Sequence, residues 1–230
     1  MLLRTCLLAI AFLSASATAN TEKVIFTAPR NITLGDARPG LLDLSLDTIT
    51  PTHLVQQVLL PVAFPTDENP RGPQSWYLLQ SLQEGQRYEV RVCWPATSPT
   101  EFWLETYSII HVLETPSLLQ DLAAYVEDRQ EDLLSRASDP AVQDSATTQS
   151  ALLLRVWSAA DFYAADQQLM QNPPPVKVDI ILDPYLFNIF PQSLLPTAGY
   201  IAVLAVGASL ISQYIWRILE GVSQRKKHIE

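Results

Sequence analysis

The 230-residue chain carries 24 acidic and 15 basic side chains, a formal net charge of -9, and 17 prolines against seven glycines. An acidic chain without a basic patch does not suit nucleic acid or electrostatic docking on anionic lipid. Two cysteines, Cys6 and Cys93, exclude a disulfide framework and a thiolate metal cluster.

Residues 1–19 read as a secretory signal peptide. Arg4 supplies the positive start, Cys6 to Leu13 the apolar run, and Ala17-Thr18-Ala19 the small-residue cleavage site. Cleavage leaves Asn20 as the new N-terminus and removes Cys6, so Cys93 has no intramolecular partner. Asn31-Ile32-Thr33 is the single N-glycosylation sequon, which makes Asn31 the candidate modification site and a marker of lumenal exposure.

Residues 20–183 are expected to form one lumenal domain, about 165 residues being enough for a core of their own. It is mainly β. Seven strands are predicted, at Val24–Ala28, Gln56–Val62, Ser75–Leu79, Tyr88–Trp94, Glu101–Leu113, Leu152–Trp157 and Val176–Leu182. Each alternates, or is rich in β-branched and aromatic residues, between turn-forming residues. In the clearest, Tyr88, Val90, Val92 and Trp94 share one face and Glu89, Arg91 and Cys93 the other. Pro95 to Pro99 then suggests a hairpin-like return into Phe102-Trp103-Leu104. The stretch Leu82 to Val92 also resembles the strand that follows a glycine turn in fibronectin-like sandwiches, which points to a β-sandwich-like domain.

One or two helical insertions are expected. Ser117 is placed to cap a helix whose apolar residues Leu118, Leu119, Leu122, Val126, Leu133 and Leu134 recur at helical spacing, with Glu127, Asp128, Glu131 and Asp132 on a solvated face. Residues 138–150 read as a linker and Ala159 to Met170 as a second short helix.

From Pro184 to Trp216, 33 residues contain no charge. Residues 184–194, bracketed by prolines, suit an interfacial juxtamembrane segment. Residues 195–216 suit a transmembrane helix, spanning about 33 Å against a hydrocarbon core of about 30 Å. Residues 217–230 form a basic tail with Arg217, Arg225, Lys226 and Lys227, whose charge places it on the cytosolic side. A charged segment after the apolar run argues against a cleaved lipid-anchor signal. The tail also resembles dilysine retrieval signals, one position out of register. Tyr185, Phe187 and Phe190 at the lumenal surface, with the small residues Gly199 and Gly207 in the span, are the candidate partner-docking residues.

No constellation for chemistry emerges. His53 and His111, the lumenal histidines, lack a second ligand at metal-binding spacing, and no nucleophile elbow, phosphate-binding glycine loop or Asp-x-Asp is present. No catalytic, cofactor-binding or metal residue is therefore assigned. One span without an ionisable residue also offers no transport path. An accessory subunit of a membrane complex, or a single-span adhesion or cargo-receptor module, remains.

Lys23-Val24-Ile25-Phe26-Thr27-Ala28-Pro29, the strand Tyr88 to Trp94 with Pro95, and Asp183-Pro184-Tyr185 through Pro196 together resemble the fungal GPI mannosyltransferase II co-activator family. So does the layout of signal peptide, lumenal domain, single span and short basic tail. The resemblance implies a non-catalytic subunit in the endoplasmic reticulum membrane. Its partner would be the multi-span enzyme that adds the second mannose to the GPI precursor from dolichol-phosphate mannose. It implies no cofactor and no small-molecule substrate of the chain's own. The accessory subunit of the first GPI mannosyltransferase shares the single-span plan and is the alternative.

Overall fold

The computed structural model describes residues 20–33, 46–136 and 148–227. The signal peptide therefore lies outside the described residues. Among the described residues, ten strands form two five-stranded sheets. They are β1 (Thr21–Thr27), β2 (Ile32–Thr33), β3 (Asp47–Ile49), β4 (Val55–Leu60), β5 (Gln74–Leu82), β6 (Arg87–Cys93), β7 (Thr100–Ser108), β8 (Thr148–Ala160), β9 (Val176–Leu186) and β10 (Phe190–Pro191). The first sheet runs β1-β6-β9, with β4 and β10 on the other side of β9. The second runs β2-β8-β5-β3, with β7 also paired to β8. β3 and β5 run parallel, and the other strand pairs are antiparallel.

The period-two pattern builds the core between the sheets. Tyr88, Val90 and Val92 of β6 and Val176, Val178, Ile180 and Leu182 of β9 meet Tyr77 and Leu79 of β5 and Leu152, Leu154 and Val156 of β8. The turn before β6 is the one sandwiches use to enter a core strand. Gly85 has φ of 74°, and the hydroxyl of Tyr88, whose ring is part of the core, accepts from the Gln83 backbone N–H at 3.0 Å. This reproduces the tyrosine corner. Gly72, with φ of 72°, sits so close to β8 that an added Cβ would lie 2.3 Å from the Ser158 carbonyl oxygen.

Several elements depart from their expected places. The predicted hairpin between Tyr88–Trp94 and Phe102–Leu104 does not form. β6 pairs with β1 and β9, β7 pairs with β8, and the Pro95–Pro99 loop carries the chain from one sheet to the other. Prolines at both ends of that loop remove the N–H groups a continuing ladder needs. Trp94 and Phe102 still meet, with ring centroids 4.6 Å apart.

The strand expected over Glu101–Leu113 ends at Ser108, whose hydroxyl caps α1 (Ile109–Glu114) by accepting from the His111 N–H at 3.2 Å. The acidic helix, α2 (Pro116–Arg136), starts one residue before the expected cap, with Pro116 at its first position, where a missing N–H is harmless. Leu118, Leu122 and Val126 bury against Trp76, Leu78, Ala151 and Leu153 on the outer face of the second sheet, whereas Leu119 stays exposed. Arg155 fastens this layer. It donates to Asp121 of α2 at 2.7 Å and lies 5.2 Å from the Trp76 ring and 4.1 Å from the Trp157 ring.

The linker expected over residues 138–150 overlaps β8, which begins at Thr148; residues 137–147 are outside the described part. Ala159 and Ala160 complete β8, so the second expected helix shrinks to α3 (Gln167–Gln171), capped by Asp166. The C-terminal helix α4 (Leu195–Lys227) runs without a break past Trp216 into the basic tail.

Candidate functional site

The sheet continues three residues past the expected boundary at Asp183, because Pro184, Tyr185 and Leu186 complete β9. A three-residue turn, Phe187 to Ile189, follows. Phe187 and Asn188 have φ of 51° and 58°, and the Ile189 N–H donates to the Leu186 carbonyl at 3.0 Å. Two successive positive φ values match the central residues of a type I′ turn, a conformation that asparagine tolerates well. Phenylalanine does not, and its left-handed conformation costs about 1–2 kcal/mol.

Asn188 offsets that strain by fastening the turn to the start of β6. Its Oδ1 accepts from the Arg87 backbone N–H at 2.8 Å, and its Nδ2 donates to the Gly85 carbonyl at 3.1 Å. Gln86 adds a bond from Nε2 to the Tyr185 carbonyl at 3.2 Å. The hairpin then closes with Phe190 opposite Leu186 and Pro191 opposite Tyr185, and one 3-10 turn, Gln192–Leu194, leads directly into α4.

On the outer face of the first sheet lies a group of charged side chains close to this junction. Glu89 of β6 and Asp183 of β9 are directly opposite each other and are 2% and 1% exposed. Like charges in that register repel, and burial of each carboxylate is costly unless it is paired. Arg91 supplies one cation, with Nη2 3.2 Å from Asp183 and Nη1 3.8 Å from Glu89. Lys23 of β1 supplies the other, 3.2 Å from Glu89. The Tyr185 hydroxyl donates to Glu89 at 3.2 Å, and Arg87 lies 5.9 Å from its ring. Burial, then the neighbouring Glu89 carboxylate, raises the Tyr185 phenol above its ordinary pKa and keeps it a donor.

Ser193 joins this cluster to the helix. Its hydroxyl accepts from Arg91 Nη2 at 2.9 Å, and its backbone N–H donates to Asp183 Oδ1 at 3.2 Å. The residue two positions before α4 is thus held by a guanidinium and a buried carboxylate of the sandwich. Together with the Asn188 bonds, this forms a clamp that fixes how the chain leaves the sheet and enters the helix.

From Gln192 to Glu220 the chain is long and apolar enough to cross a membrane, with an 18-residue window of mean hydropathy 1.9, none of which is buried against the rest of the protein. These 29 residues extend about 43 Å at ~1.5 Å per residue, longer than a hydrocarbon core of ~30 Å, so tilt or interfacial ends accommodate the excess. The space around Gly199 and Gly207 is open. The polar indole of Trp216 is satisfied within the helix, donating to Glu220 at 2.8 Å.

The candidate docking residues therefore separate. Tyr185 is buried and its hydroxyl is used by the clamp. Phe190 is half-buried, while Phe187 is 90% exposed. Asn31 is exposed just before β2, its backbone N–H held by Glu84 at 3.1 Å, in a position open to a glycan. Lys23, Glu89, Arg91, Asp183, Asn188 and Ser193 were not singled out from sequence. The alternation of β6 does place Glu89 and Arg91 on the non-core face, but their partners depend on strand order and register.

Among the described residues no group of three or more His, Cys, Asp or Glu side chains is placed to hold a metal ion. A groove of about 780 Å³ lies between β4 and α2. Within it Arg129 pairs with Asp47 at 2.6 Å and with the Tyr125 hydroxyl at 3.2 Å.

Comparison with known proteins places this architecture. No solved structure matches the chain. A GPI mannosyltransferase 2 subunit of Schizosaccharomyces pombe is 25% identical over 197 residues, covering 84% of this chain and 83% of the relative. The family model described as GPI-mannosyltransferase II co-activator matches residues 10–214, which include the whole sandwich, the clamp and most of the spanning helix. The chain belongs to the GPI-mannosyltransferase II co-activator family.

Proposed function

We propose that this accessory subunit of the second GPI mannosyltransferase works as a scaffold: α4 crosses the endoplasmic reticulum membrane beside the catalytic subunit, and the clamp holds the sandwich against that subunit's lumenal side. In this reading the catalytic subunit is a multi-span protein and performs the transfer of the second mannose from dolichol-phosphate mannose. The present chain contributes position and stability and no chemistry. Gly199 and Gly207 mark where a partner helix can approach closely, and Phe190 adds contact at the lumenal end. The acidic sandwich faces the lumen and the basic tail the cytosol, in keeping with the charge asymmetry across α4.

The observation that carries this reading is the clamp. A domain tethered by a loose linker transmits little to its membrane helix. Here Arg91, Asp183 and Ser193 bind the last turn before α4 to the sheet. Affinity purification of the tagged full-length chain from mild detergent tests it. The mannosyltransferase should co-purify, and Arg91→Ala should lower the recovered transferase activity more than it lowers recovery of the chain. Absence of the transferase from the purified material contradicts the proposal.

A further inference from the structure

We propose that the turn between β9 and β10 is a second membrane contact, in which Phe187 and Ile189 enter the lipid interface on the sandwich side of the bilayer and set the tilt of the domain. This rests on α4 crossing the membrane and not on which enzyme the chain assists.

Phe187 and Ile189 are 90% and 72% exposed, an unusual density of apolar surface for a three-residue turn. Asn188 between them is also exposed, but both its amide atoms are occupied by backbone groups at the start of β6. The hydrogen bond that closes the turn, Ile189 N–H to the Leu186 carbonyl, is made internally. The tip thus presents two apolar side chains with its one polar side chain already hydrogen-bonded to the sandwich, a composition compatible with partial burial in lipid.

Position selects lipid as the occupant. Three residues beyond Ile189 the 3-10 turn begins, and exposed Leu194 and Leu195 lead into α4, so the tip stands within one short hairpin of the start of the spanning helix. No charged residue interrupts the chain from Pro184 to Trp216. The Asn188 bonds fix the tip against the start of β6, and the left-handed backbone of Phe187 is the kind of local strain found where a side chain is aimed for use.

The test is depth measurement by spin labelling of the full-length chain in phosphatidylcholine vesicles, in a background with Cys6→Ser and Cys93→Ser. Nitroxides are attached in turn at Phe187→Cys, Ile189→Cys, Val206→Cys in α4, and Tyr163→Cys. Tyr163 is 89% exposed, and its loop begins where Asp161 bonds to Pro99, beyond the end of β6 opposite the one that holds the turn. The ratio of oxygen to nickel-chelate collisions should be several-fold higher at 187 and 189 than at 163, and highest at 206. An aqueous ratio at 187 and 189 with a lipid ratio at 206 overturns the inference. So does protection of 187 only after the mannosyltransferase is added, which makes the tip a protein contact. An aqueous ratio at 206 shows instead that the spanning reading of α4 fails.

Discussion

Arg91 and Ser193, 102 residues apart in sequence, are joined at 2.9 Å, and the same guanidinium reaches the buried carboxylate of Asp183 at 3.2 Å. Through this pair the centre of a β-sheet grips the start of a membrane helix. Removing the guanidinium leaves the buried Asp183 carboxylate without a cation and facing Glu89, which keeps Lys23 alone. Arg91→Ala should therefore destabilise the sandwich by about 3–5 kcal/mol, whereas Ser193→Ala, which loses one hydrogen bond, should cost about 1 kcal/mol. Denaturant titration of the full-length chain in detergent compares them. Equal, small effects would show that the pairing carries little stability.

Gly72 is a different kind of constraint. A methyl group there meets the Ser158 carbonyl oxygen at 2.3 Å and also requires φ of 72° from an alanine. Neither backbone yields cheaply, so Gly72→Ala should lower stability by more than ~1 kcal/mol, the usual cost of a left-handed alanine. Gly85→Ala, whose surroundings are open, pays only the conformational cost. Thermal unfolding of the two variants side by side should show a clearly larger loss for Gly72→Ala.

These two sites show what was legible in the sequence. The core strands were readable because Tyr88, Val90 and Val92 alternate, and the membrane helix because charge is absent over a span-length window. Strand partners were not. Pro95 and Pro99 look like hairpin punctuation, yet they carry the chain between sheets, a choice made by packing across the core. The extent of β9 was hidden by Pro184, which reads as a terminator but sits opposite Tyr88 in the sheet. The clamp followed the same logic: Lys23, Arg91 and Asp183 are ordinary outer-face charges until the register Lys23↔Arg91 and Glu89↔Asp183 puts them together.

Alkaline pH should weaken the second sheet's outer layer. Burial, reinforced by its bond to the Glu105 carboxylate, pushes the Tyr107 phenol up to about 12 from 10.0. A raised folded-state pKa means that its contribution is fully present below pH 10 and is lost as pH rises from about 10 through about 12. Tyr107→Phe should flatten that part of the stability profile. Chemical denaturation at a series of pH values checks it, and an unchanged slope in the variant would refute the assignment.

Asn31 is exposed and precedes a short strand whose backbone pairs with β8. If the sandwich is lumenal, the chain should carry one glycan that endoglycosidase removes and that Asn31→Gln abolishes, with a single shift in gel mobility. An unmodified wild-type chain made in secretory membranes would argue against a lumenal sandwich.

The central claim is that this family member supports addition of the second mannose, and the composition of the GPI precursors in cells lacking the chain tests it most directly. The account predicts accumulation of a precursor carrying one mannose, reversed by the wild-type chain and poorly by Arg91→Ala. A normal set of precursors in the deleted cells would contradict it.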